Sequence, residues 1–155
     1  MRKSVALMLA MIATPALAYD DPRALVEAIY APYATLGTAR DQDLMPFYSE
    51  RLQALVALNV LPPEEGEPAP PVIEFNPFIG AQEALLRDLS IGTPAVANDR
   101  AVVNVSFVNF DHASLLALGL VREADGWKVD DIASLGDGEN WLFSWLLQYD
   151  PFDVN

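Results

Sequence analysis

Two places in the sequence set groups capable of acid–base chemistry side by side: Asp111-His112 and Asp130-Asp131. His112 is the sole histidine, and an imidazole oriented by a carboxylate titrates close enough to neutrality to serve as a general base. Asp130 and Asp131 fall on opposite faces of a regular strand, so they do not form a dyad. One of them, turned into a water-poor interior, would have its pKa raised and could act as acid or base. Plainer roles compete with these. An Asp in a turn bonds its own backbone, and a strand carboxylate pairs with Lys128 or Arg122.

Other chemistries are excluded by residue type. The chain has no cysteine, which removes thiol catalysis, thiolate zinc sites and iron–sulfur clusters. Asp137-Gly138-Glu139 lacks the alternating acids of a calcium loop, and one histidine leaves zinc only carboxylates, so neither a metal nor a cofactor is expected. No G-x-S-x-G, H-E-x-x-H or phosphate loop is present. Aromatic and amide side chains remain. Tyr30, Tyr33, Phe78 and Trp127, with Gln82, Asn104 and Ser106 as polar points, are candidates to line a pocket for a small apolar or amphipathic ligand. Their alternative role is core packing.

The elements that must position these groups follow from periodicity. Asp21-Pro22 reads as a cap followed by proline at the first helical position, and Leu25, Ile29, Tyr33 and Leu36 repeat with a helical period. The spacing predicts a helix over 22–36, stopped by Gly37 and bent or split near its end by Pro32. A short helical turn is expected within 41–48. Ser49 caps a further helix over 50–59, whose Leu52, Leu55, Val56 and Asn59 lie along one side. From 61 to 71 the run LPPEEGEPAPP carries five prolines and three glutamates, which suits neither sheet nor helix and reads as a solvated loop.

Beyond that loop the pattern changes to alternating and continuous apolar runs. Strands are expected at 85–91, 95–97, 101–110, 114–123 and 127–132, separated by turns at Asn98-Asp99-Arg100, Asp111-His112 and Asp125-Gly126. Short turns make the sheet antiparallel. Val103, Val105 and Phe107 share one face, and Asn104 and Ser106 share the other with Val102, Val108 and Phe110, a mixed surface such as a pocket wall presents. Asp137-Gly138-Glu139 then opens a terminal helix over 140–148 on which Trp141, Phe143, Trp145 and Tyr149 go most of the way round. Helices first and strands afterwards define an α+β domain: a curved, cone-like antiparallel sheet packed on N-terminal helices, with a C-terminal helix.

FYSERLQAL at 47–55, FNPFIGAQE at 75–83 and LGLVREADGWKVDDI at 118–132 resemble, in this order, the bacterial family called domain of unknown function 3828. The last stretch is also similar to the wider nuclear-transport-factor-2-like superfamily. The resemblance spans Leu25 to Ile132 and implies a bent antiparallel sheet wrapped around helices with a cavity inside. It implies no single activity, because the superfamily holds isomerases, dehydratases and non-enzymatic binders. Where the family shows Asp-Pro-Phe, this chain has Asn76-Pro77-Phe78, and the missing charge disqualifies that position as a base.

Compartment and partners come from the ends and the charge. Arg2 and Lys3, the apolar run 5–13, Pro15 and Ala16-Leu17-Ala18 fit a secretory signal cleaved after Ala18, so residues 19–155 are expected as a single domain in the periplasm or outside the cell. The chain of 155 residues has a net charge of −13, and without the leader's two basic residues it becomes −15. Such a surface argues against nucleic acid and anionic membranes. Three function classes follow. The first is a non-enzymatic module that binds a small ligand, a protein or its own copy; the second is an isomerase, dehydratase or hydrolase using Asp130, Asp131 or His112. The third is an acidic inhibitor or immunity-like protein that blocks a basic partner.

Overall fold

A computed structural model describes residues 18–36, 42–59, 73 and 75–148. The expected leader, the helix stop at Gly37, the Pro/Glu-rich run 61–71 and Tyr149 lie outside them. In order the elements are α1 (Pro22–Leu36), a 3-10 turn (Met45–Phe47), α2 (Glu50–Asn59), β1 (Leu86–Ile91), β2 (Ala95–Ala97), β3 (Arg100–Asn109), β4 (His112–Glu123), β5 (Gly126–Ser134) and α3 (Phe143–Gln148). Among the described residues no helix is long and apolar enough to cross a membrane.

The helices begin where the sequence supplies caps. Asp21 Oδ1 accepts the Arg23 N–H at 3.0 Å, and Ser49 Oγ accepts the Leu52 N–H at 3.1 Å, each relieving one of the unpaired donors of a first turn. Leu25, Val26, Ile29, Tyr30 and Tyr33 bury one side of α1. Pro32 does not split the helix, which continues through Leu36.

The sheet is open and antiparallel in the order β1-β3-β4-β5, with β2 also pairing on β3. Strict alternation along β3 buries Val103, Val105 and Phe107 against the helices and exposes Val102, Asn104 and Ser106 on the other side. Leu116, Leu118 and Leu120 of β4 continue the buried side. The fold is α+β, as the pattern predicted.

Several boundaries move. Phe110 leaves the strand for the turn, where it adopts φ 53°, and β4 starts at His112. Gly126, at φ +114°, opens β5 where a Cβ would stand 2.7 Å from the Tyr19 carbonyl oxygen. That close approach lets the Trp127 N–H donate to Tyr19 O at 2.8 Å. The free edge of β5 is further occupied by Ser49, whose N–H donates to Val129 O at 2.8 Å, and by Trp141, whose carbonyl accepts the Ser134 N–H at 2.9 Å. Covering an edge in this way withholds it from other strands.

Candidate functional site

The carboxylates on β5 depart from the regular strand. Gly119 pairs with Asp131 but Leu120 pairs with Val129, so Asp130 is the extra residue of a bulge. The bulge undoes the expected separation and brings both acids to Arg51, at 3.0 Å for Asp130 and 3.9 Å for Asp131. Asp130 Oδ1 also accepts from Ser49 Oγ at 2.7 Å, and Oδ2 accepts from Arg100 at 3.3 Å. Burial alone would raise its pKa, but the hydrogen bonds from Arg51 and Ser49, the Arg51 charge and Arg100 outweigh it, and the net shift is downward. The expectation of a raised pKa is therefore corrected for Asp130. Asp131 Oδ1 accepts the Ser144 N–H at 3.0 Å and Oδ2 accepts the Ser144 hydroxyl. The pair supports two helix starts: Asp130 holds the cap of α2, and Asp131 caps α3.

That tertiary cap explains a second correction. α3 begins at Phe143 rather than 140 because Asp131, not Asp137, supplies the acceptor at its start. Trp141 and Leu142 precede the helix and run beside β5, Leu142 as a bridge partner of Ala133.

His112 is one of the residues lining a groove of about 680 Å³ formed by the β3–β4 turn, residues of the 75–80 segment and the segment after β5. Its neighbour Asp111 has a side chain 99% exposed, 3.8 Å from Arg87, so that carboxylate is turned to solvent and to a guanidinium. Phe75 and Trp141, also on its lining, meet edge to face at 5.3 Å. Among the described residues no group of three or more His, Asp or Glu is placed to hold a metal.

The aromatic candidates do not line a common cavity. Tyr30, Tyr33 and Phe78 are fully buried and packed on one another, with centroids 6.0 Å apart for Tyr30–Tyr33 and 6.4 Å for Tyr30–Phe78. The Tyr30 hydroxyl donates to Phe78 O at 2.6 Å, and Tyr33 Oη accepts from Asn76 Nδ2 at 2.7 Å. Burial raises the pKa of both phenols; Tyr33 adds to the rise at Tyr30, and the Asn76 bond opposes it at Tyr33. Both hydroxyls are thus satisfied within the core. Asn76 also accepts the Phe78 N–H at 2.9 Å, and only an amide, not the carboxylate of Asp, can accept there and donate to Tyr33 as well. Trp127 is buried, whereas Gln82, Asn104 and Ser106 are exposed. The mixed face of β3 points away from the helices, so Asn104 and Ser106 are not the wall of an interior pocket.

A different niche combines apolar walls with unsatisfied polarity. Between α2, α3 and the segments around Leu44 and Phe75 lies a depression of about 320 Å³, walled by Val56, Ile73, Phe75, Pro77, Phe143 and Leu147 among others, with Tyr48 and Asp43 also on its lining. Gln53 Nε2 holds its 45–48 wall, donating to Met45 O at 3.1 Å and Tyr48 O at 2.9 Å. Tyr48 stacks on Phe78 at 5.8 Å, and burial, with a smaller contribution from Tyr33, pushes its pKa well up. Asn59 Nδ2 donates to Leu147 O, joining the two helices. Two acceptors on this niche, Gln42 Oε1 and Asn59 Oδ1, are buried with no hydrogen-bond partner among the described residues. Leaving such an oxygen unpaired costs about 1–3 kcal/mol. Neither residue was among the sequence candidates, although Asn59 is the one polar member of the apolar side of α2. Gln42 gives no signal of its own.

No protein-family model, curated protein or solved structure matches the chain.

Proposed function

We propose that the protein is a non-enzymatic binding module that takes a small amphipathic ligand in the niche between α2 and α3. The observation that carries this reading is the pair of buried amide oxygens, Gln42 Oε1 and Asn59 Oδ1, in a depression whose other lining residues, Asp43 and Tyr48 apart, are apolar. Sites of about 300 Å³ and above, apolar with a few convergent polar points, suit a small molecule whose body fills the walls and whose N–H or O–H meets the acceptors. The acid–base candidates do not compete for the role. Asp130 and Asp131 are committed to Arg51, Ser49 and Ser144, Asp111 is exposed on the β3–β4 turn, and His112 is exposed at the start of β4.

The reading includes export through the leader at 1–18 and a place beside the family called domain of unknown function 3828; the leader's composition supports the first and the three quoted motifs the second. A fluorescence titration with N-phenyl-1-naphthylamine, an apolar probe bearing one N–H donor, tests the binding. Saturable binding to the wild type, lost in Val56→Phe with the circular dichroism spectrum unchanged, is the expected result. Equal binding by Val56→Phe, or no binding up to about 100 μM, overturns the reading.

A further inference from the structure

The niche between α2 and α3 also carries a sign. Among the described residues that line it Asp43 holds the only charge, and none is a Lys, Arg or His. Asp43 is exposed, its Oδ1 accepts the Met45 N–H at 3.1 Å, and it makes no ion pair among the described residues. The two unpaired polar atoms, Gln42 Oε1 and Asn59 Oδ1, are acceptors as well. Asn59 is held in that sense, because its Nδ2 is already given to Leu147 O.

We infer that the ligand of this niche is a hydrophobic primary amine, bound as its ammonium. The inference rests on the binding reading above and adds the class of head group. Two unpaired amide oxygens and a carboxylate on one largely apolar depression match a head that only donates. An ammonium brings three N–H bonds and no lone pair, and a bond from a charged donor is about twice as strong as one between neutral groups. A carboxylate or phosphate head meets the reverse. It brings lone pairs to oxygens that already lack donors, and the side-chain donors of the lining, the Tyr48 hydroxyl and the Gln42 amide nitrogen, are neutral and do not offset what an anion loses on leaving water. Its charge would also face Asp43, in a chain whose net charge is −13. A quaternary ammonium keeps the positive charge but has no N–H for the two oxygens, so the head is a primary amine rather than a fully substituted one. Space bounds the body. A volume of about 320 Å³ lies at the small end of ligand sites and suits one ring on a short chain.

Isothermal titration calorimetry of the full chain at neutral pH with 3-phenylpropylamine, 3-phenylpropionate and trimethyl(3-phenylpropyl)ammonium tests the head group. The three share one body, and the amine is protonated there as a lysine side chain is. Saturable binding of the amine is expected, at least roughly tenfold tighter than that of the acid or the quaternary salt, and lost in Val56→Phe. Asp43→Asn, which keeps the acceptor for Met45, is expected to narrow the preference for amine over acid about threefold. Asp137→Asn removes the same charge from an exposed residue outside the niche and is expected to leave that preference unchanged. An amine that does not bind, an acid or quaternary salt that binds as tightly, amine binding that survives Val56→Phe, or a preference narrowed no more by Asp43→Asn than by Asp137→Asn overturns the inference. Where N-phenyl-1-naphthylamine still binds and is lost in Val56→Phe, such a result removes the amine head alone; where that probe does not bind either, the binding reading falls with it.

Discussion

On the helix-facing side of β3, Val103, Val105 and Phe107 are buried under α1, whereas one residue along the same strand Val102, Asn104 and Ser106 are exposed. The two sets alternate along one strand, so the difference lies in what covers each face. Under the helices the aromatic rings of Tyr30, Tyr33, Phe78 and Phe107 fill the space, and the tyrosine hydroxyls find partners there. On the outside nothing described covers the strands. The binding reading therefore moves to the seam of α2 and α3, where two amide oxygens are buried without partners among the described residues.

The contrast is broken most directly by truncating one residue on each face. Phe107→Ala removes a ring packed 6.2 Å from Tyr30 and is expected to cost about 3–5 kcal/mol by urea denaturation. Ser106→Ala is expected to stay within about 0.5 kcal/mol. Comparable losses at both positions would show that the two faces are equally packed.

A smaller effect separates the bulge from both faces. Asp131→Ala leaves the first turn of α3 without its acceptor and should cost about 1–2 kcal/mol. Asp130 supplies the pH dependence. Its folded pKa lies below the ordinary carboxylate value, so its contribution is complete above that value and is lost as the pH falls through the lowered pKa. Unfolding free energy followed into acid should therefore fall less steeply in Asp130→Asn than in the wild type; identical acid limbs would remove Asp130 from the account.

Local chemistry was legible in the sequence and long-range chemistry was not. The capping residues Asp21 and Ser49, and the limits of α1, α2 and β2, follow from side chains within a few residues of the backbone they serve. The start of α3 did not follow, because its acceptor, Asp131, arrives from β5 rather than from the neighbouring Asp137. The bulge escaped for a similar reason: an alternating pattern marks which side of a strand a residue takes, but the pairing of Val129 with Leu120 is decided across the sheet. Residue type offered Tyr30, Tyr33 and Phe78 either as pocket lining or as core, and the sequence held nothing to separate the two roles. At the niche, a polar Asn59 on the apolar side of α2 was a usable sign, while Gln42 became distinctive only through the walls that bury it.

Gln42→Met tests the central claim most directly, because it replaces an unpaired buried oxygen with an apolar chain of similar length. If the oxygen is kept for a ligand, the unliganded variant gains about 1 kcal/mol in stability, and N-phenyl-1-naphthylamine binds roughly fivefold more weakly than to the wild type. A variant that loses stability, or that binds the probe as tightly as the wild type, would contradict the assignment of the niche as the binding site.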